Sequence, residues 1–121
     1  METRKREYIP KAIRERVLSR FGGRCGYCGQ KPKRLQVDHI VPHEYRGTND
    51  ESNLMPSCAS CNNYKGAWPL ERFRREIAEQ TRKLYEHTSG YKFALRYGLI
   101  EETGRQVVFH FEQPLFTPNE D

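Results

Sequence analysis

The sequence holds no run approaching the ~20 apolar residues of a membrane span, and its first ten residues, METRKREYIP, lack the apolar core of a secretory signal. The expectation is a cytoplasmic protein, and one that crosses no membrane. Internal repeats, low-complexity tracts and linkers are missing too, which leaves one continuous domain over residues 1–121 as the reading. Apolar residues are scarce, with 36% of the chain hydrophobic and 31% charged. A globule of this length buries roughly two-thirds of the surface its unfolded chain exposes, so its core is modest. A metal or a partner would add much to such a fold.

Acidic residues are scarce at one end only. Residues 1–36 carry eleven Lys and Arg against three Glu, a balance of +8, while residues 37–121 carry ten against thirteen, a balance of −3. A basic patch attracts polyanions, of which nucleic acid is the commonest, although a merely solvated charged face has the same composition.

Pro10 suits the first turn of a helix, with Ile13, Val17, Leu18 and Phe21 recurring on one face until Gly22-Gly23 ends it. Arg14, Arg16 and Arg20 fall mostly on other faces. Leu35 to Ile40 reads as a short strand closed by Pro42, followed by a polar loop through Gly47, Asn49 and Asp50. A short helix is expected around Cys61, ending at Gly66, and a longer one after Pro69 with Leu70, Phe73, Ile77, Leu84 and Tyr85 on its apolar face. Tyr91, Phe93, Leu95, Tyr97 and Leu99 alternate with other residues, as do Val107, Phe109 and Phe111, with Thr103-Gly104 between. That pattern predicts a β-hairpin whose aromatic face packs on the same chain or on a second subunit, so the expected state is a monomer or a homodimer through the hairpin.

Cys25-Gly-Tyr-Cys28 and Cys58-Ala-Ser-Cys61 form two C-x-x-C pairs with 29 residues between them. Each pair turns two sulfurs toward one point, and two pairs complete a closed tetrahedral zinc site with no open position. Closure argues for a structural ion. Two disulfides or a redox C-x-x-C are the rivals; the cytoplasmic setting disfavours disulfides, and the spacing shared by both pairs favours zinc.

Between and after these pairs run Asp38-His39-Ile-Val-Pro42, then Asn53-Leu54, and Asn62-Asn63-Tyr-Lys65-Gly66 directly after Cys61. In this order the elements resemble the HNH, or ββα-metal, endonuclease family: C-x-x-C, Asp-His-Ile-x-Pro, Asn-Leu, then C-x-x-C followed by His or Asn and shortly by Lys-Gly. The resemblance covers about residues 12–78. It implies an α+β fold with a ββα-metal core and a four-cysteine zinc site, flanked by the N-terminal helix and by a C-terminal helix and hairpin over 79–113. It also implies a bacterial or phage-encoded protein whose partner is DNA.

Hydrolysis of a phosphodiester needs an activated water, a general base that titrates near neutrality, and a cation on the phosphate oxygens. An imidazole is the natural base, which singles out His39. The resemblance assigns Asp38 and Asn62 to a divalent metal and Asn53 to orienting His39 or its loop. Strand neighbours point to opposite faces, so Asp38 reaches the metal only through a bend that the resemblance supplies and the residues do not. Hard oxygen donors suit Mg²⁺ or Mn²⁺. Asn at position 62 makes this an H-N-N variant, a form shared with the HNH domains of RNA-guided CRISPR nucleases, and turns metal preference from softer ions.

Each assignment has a plainer competitor. Asn53 could cap a turn, Asn62 and Asn63 compete for one role, and His43 reaches the site or lies on the surface. Lys65, three residues after Asn62, shares its helical side and is expected to meet a DNA phosphate together with Arg14, Arg16 and Arg20. His87 and His110 lie outside the motif. The expected activity is DNA nicking of low sequence specificity. The rivals are a zinc-ribbon nucleic-acid-binding module without catalysis and an interaction subunit of a phage or restriction complex.

Overall fold

The computed structural model describes residues 8–113, which fall into two compact units, one built from residues up to Leu70 together with the segment from Phe109 onward, the other from Glu71–Val108. In the first unit, helix α1 (Lys11–Leu18) begins directly after Pro10, and the chain leaves it through Gly22 and Gly23 at φ 62° and 89°. Two strands follow, β1 (Gln36–His39) and β2 (Leu54–Ser57), paired antiparallel with Asp38 opposite Met55 and His39 opposite Leu54. Helix α2 (Ala59–Lys65) starts on Cys58 and ends at Gly66, whose φ is 52°.

The core of this unit is small, as the composition requires. Ile9, Val17 and Leu54 are buried together, with Ile13 and Val37 packed against them. Tyr27 and Phe109 are also buried, and their rings meet edge to face at 5.5 Å. The returning segment is fixed to the first cysteine turn by its backbone: His110 N–H donates to Tyr27 C=O at 2.9 Å and Phe111 N–H to Gly26 C=O at 2.8 Å. A Cβ at Gly26 would lie 2.2 Å from the Met55 sulfur on β2, so any side chain there would force Met55 to shift.

The second unit is helical. The expected long helix is two, α3 (Leu70–Ala78) and α4 (Gln80–His87), joined through Glu79, which keeps helical angles. The expected C-terminal hairpin is not there. Residues Ser89–Arg96 form helix α5, residues 101–109 have no regular structure, and a homodimer through that hairpin loses its basis. The physical reason lies in residues 89–97, which contain no β-branched side chain and hold Lys, Ala, Leu and Arg, all good helix formers. Helical spacing also brings Phe93 and Tyr97 together, stacked at 6.5 Å, with the Arg96 guanidinium over the Phe93 ring. Among the described residues no helix is long and apolar enough to cross a membrane.

Candidate functional site

One cysteine pair precedes β1 and the other follows β2, and because Gln36 pairs with Ser57 the two converge at the same end of the strand pair. Backbone N–H groups of Tyr27 and Cys28 point at the Cys25 sulfur (3.4 and 3.5 Å), and Cys61 N–H points at the Cys58 sulfur (3.3 Å) at the start of α2. All four sulfurs lie within 4.8 Å of one another. Cys28 and Cys58 are 3.8 Å apart, and the edge of a tetrahedron with 2.3 Å Zn–S bonds is about 3.8 Å. A hydrogen bond from the Cys61 thiol draws the Cys25 thiol down to about 4, while the same pairing pushes Cys61 up. The four residues are arranged to hold a metal ion of the structural, zinc type.

One residue inside the first pair reaches the second feature of the site. Tyr27 donates its hydroxyl to Asp38 Oδ2 at 2.7 Å, and Lys65 Nζ approaches the same oxygen at 3.1 Å. Burial, followed by the Asp38 charge, raises the Tyr27 phenol well above its usual range, so it stays a donor. Lys65 is 1% exposed and also donates to His39 C=O at 2.9 Å. The expectation that Lys65 contacts a DNA phosphate is therefore corrected. Its ammonium has no path to an outside anion, because the short α2 turns it onto β1 and the Asp38 carboxylate. Among the described residues none donates to the other Asp38 oxygen.

His39 ends β1. Its Nε2 lies 2.7 Å from Asn49 Oδ1. Asn53 does not touch the ring. It accepts from Val41 N–H at 2.8 Å and donates to Val41 C=O at 3.1 Å and Thr48 C=O at 2.8 Å, bracing the loop that follows His39. Asn49 is the residue that sequence reasoning passed over as one of several loop-forming polar residues. The only signal for it was its place in the motif interval between His39 and Asn53.

Asp38, His39, His43, Glu44 and Asn62 line one open pocket of about 290 Å³ at the junction of β1 and α2. Asp38 and His39 share it although they are strand neighbours, because β1 stops at His39 and the chain turns into the loop. Asn62 donates its amide to Gln36 Oε1 at 2.5 Å, which leaves its carbonyl oxygen as the available donor to a cation. Asn63, its competitor, is exposed and not among the lining residues.

The arginines of α1 are only partly available. Arg16 forms a two-pronged pair with Glu51 at 3.1 and 2.8 Å, and Arg20 donates to Leu54 C=O at 2.7 Å and Glu51 C=O at 3.2 Å. Both tie α1 to the start of β2. Arg14 is exposed, and among the described residues its side chain makes no such contact.

Residues 25–67, from the first zinc-type cysteine to the end of the pocket, match the model of the HNH endonuclease family. Over an alignment of 63 residues the sequence is 33% identical to "SPbeta prophage-derived putative HNH endonuclease YoqL" of Bacillus subtilis (strain 168), the alignment covering 44% of this chain and 27% of that protein. The chain thus spans about a quarter of the length of the relative it matches. Residues 25–67 make up a domain of the HNH endonuclease family, of the type stapled by two C-x-x-C pairs.

Proposed function

We propose that this chain is a metal-dependent DNA endonuclease acting as a single nuclease domain, that it nicks DNA with low sequence specificity, and that His39 is its general base. One observation carries the reading: Asp38, His39 and Asn62 line the same open pocket beside a four-cysteine staple. Asp38 and Asn62 would hold Mg²⁺ or Mn²⁺, since among the described residues each keeps an oxygen unengaged and hard oxygen donors suit those ions. When bound, such an ion supplies compensation for the negative charge that builds on the phosphate oxygens and on the leaving 3′ oxygen.

In the proposed step the neutral His39 ring takes a proton from water, the water oxygen attacks phosphorus in line, and the bond to the 3′ oxygen breaks. Tyr27 and Lys65 hold the Asp38 carboxylate in place at the pocket wall. Arg14 and the exposed edge of Arg16 would meet the sugar-phosphate backbone, contacts that carry no base information. A single pocket per chain yields a nick. The four cysteines would hold Zn²⁺, and the prophage-derived relative supports a bacterial or phage-encoded setting. The test is incubation of the purified chain with supercoiled plasmid, with and without Mg²⁺ or Mn²⁺. Metal-dependent conversion to the open circular form is expected. DNA binding without cleavage in either metal would leave a zinc-stapled binding module.

A further inference from the structure

We propose that Asn49 is the positioning residue of the base: it fixes the His39 ring with its proton on Nε2, so that Nδ1 is the nitrogen that accepts a proton from water. The proposal rests on the reading of His39 as the base.

The 2.7 Å contact joins His39 Nε2 to the carbonyl oxygen of the Asn49 amide. A carbonyl oxygen only accepts, so Nε2 must donate. A neutral imidazole has one N–H, and with that hydrogen on Nε2 the lone pair is on Nδ1. Without a fixed partner the ring would divide its time between two tautomers and several χ2 angles, and only one combination has the lone pair where it is needed.

The loop is built to hold Asn49 still. On its N-terminal side Thr48 C=O accepts from Asn53 Nδ2 at 2.8 Å, and Thr48 Oγ1 spans to the Asp50 carboxylate at 3.0 Å and receives Asp50 N–H at 3.3 Å. Gly47 lies so close to the strand exit that a Cβ there would sit 1.7 Å from Val41 C=O. Asn53 itself grips Val41 by both its N–H and its C=O. The result is a two-step relay: Asn53 sets the loop, and the loop presents Asn49 to the ring. Asn53 is thereby linked to His39 geometry without touching the imidazole.

The test uses the full zinc-loaded chain. Heteronuclear ¹⁵N NMR of the His39 ring in mildly alkaline buffer reads which nitrogen bears the proton, and plasmid nicking in Mg²⁺ or Mn²⁺ gives kcat and KM. The wild type is expected to carry the proton on Nε2. Asn49→Ala should lose that single tautomer and lower kcat about 10- to 100-fold, the range for partners that orient a functional histidine, with KM for DNA unchanged. Asn49→Asp, which restores an acceptor oxygen, should recover the Nε2 proton and most of the rate. Zinc content and melting temperature show whether each variant is folded, and if Asn49→Ala is not, the wild type and Asn49→Asp carry the comparison. A wild-type proton on Nδ1 would overturn the proposal, as would an Asn49→Ala protein with unchanged tautomer and rate. A wild type that never nicks would instead overturn the nuclease reading, with the NMR arm still deciding whether Asn49 sets the ring.

Discussion

Tyr27, a residue enclosed by the first pair of metal-binding cysteines, donates its hydroxyl to the Asp38 carboxylate at 2.7 Å. The cysteine cluster and the candidate pocket are therefore linked through this hydrogen bond. Tyr27→Phe keeps the ring contacts with Phe109 and Phe111 but removes a bond to a charged, buried acceptor, a loss of about 1.5–3 kcal/mol. Urea denaturation should show a lower midpoint with an unchanged slope. Nicking by the folded variant should need more Mg²⁺, because one constraint on Asp38 is gone.

The staple itself is tested by Cys58→Ser. One metal ion per chain is expected in the reduced wild type. In the variant that ion should be lost and the melting temperature should fall sharply, since structural zinc contributes on the order of 10 kcal/mol of apparent binding free energy to small folds. Metal analysis together with a thermal melt checks this. Under half an equivalent in carefully reduced wild type, or two disulfides by mass spectrometry, would count against it.

Lys65 is expected to act on stability and not on DNA contacts. Lys65→Met removes the partner of a buried carboxylate, and breaking such a pair typically costs about 3–5 kcal/mol, a large share of a small domain's total. The double variant Lys65→Met with Asp38→Asn should recover much of that loss, because no charge is then stranded. Where the single variant stays folded, its DNA affinity should have the same salt dependence as the wild type. A flatter slope would return Lys65 to the DNA surface.

The helix arginines should separate. Arg14→Ala should weaken DNA binding across unrelated sequences and leave the melting temperature unchanged, whereas Arg16→Ala and Arg20→Ala should also loosen the join between α1 and β2. Hydrogen bonding from Arg16 holds the Glu51 carboxyl below its ordinary range. Its contribution is therefore present above the unfolded-state value of about 4.3 and lost as pH falls through the lower folded value. Stability of the wild type should drop more than that of Arg16→Ala over that acid window. Equal losses would show that the pair contributes nothing.

Catalysis and metal binding should part at His39 and Asn62. His39→Ala should slow nicking about 10²- to 10⁴-fold with DNA binding and zinc content kept. Asn62→Ala should raise the Mg²⁺ concentration for half-maximal activity, Asn62→His should favour softer ions such as Ni²⁺, and Asn63→Ala, on the exposed side of α2, should be mild. Equal nicking by His39→Ala and the wild type would remove His39 from the mechanism.

Much of the first unit was legible because its signals are local. Pro10 and Gly22-Gly23 bracket α1, the paired cysteines announce their own convergence, and the short strand before Pro42 is where it was expected. The motif residues Asp38, His39 and Asn62 were legible as a set by resemblance, and the shared pocket is what spacing alone could not give. Strand alternation placed Asp38 and His39 on opposite faces, and only the end of β1 at His39 reconciles them. Lys65 was misread because a helical register tells which side a residue is on, not whether that side faces solvent. Asn49 was missed because loop asparagines are common and a ring contact between residues ten apart leaves no periodicity. At 91–111 alternation was taken for strands, and the absence of Val, Ile and Thr from 89–97 was the contrary signal.

The aromatic return at Phe109 and Phe111 bears on the order in which the protein can be made. The cysteine turn they cover is complete in the chain by residue 28, and its metal partners by residue 61, yet the segment that hydrogen-bonds Gly26 and Tyr27 is synthesised about fifty residues later. On the ribosome the metal is thus free to close the cysteine square long before Tyr27 is covered. Loop closure over some eighty residues costs only slightly more than over forty, so the delay is one of timing and not of energy. Until that segment emerges, the Tyr27 ring that hydrogen-bonds Asp38 lacks its contacts with Phe109 and Phe111.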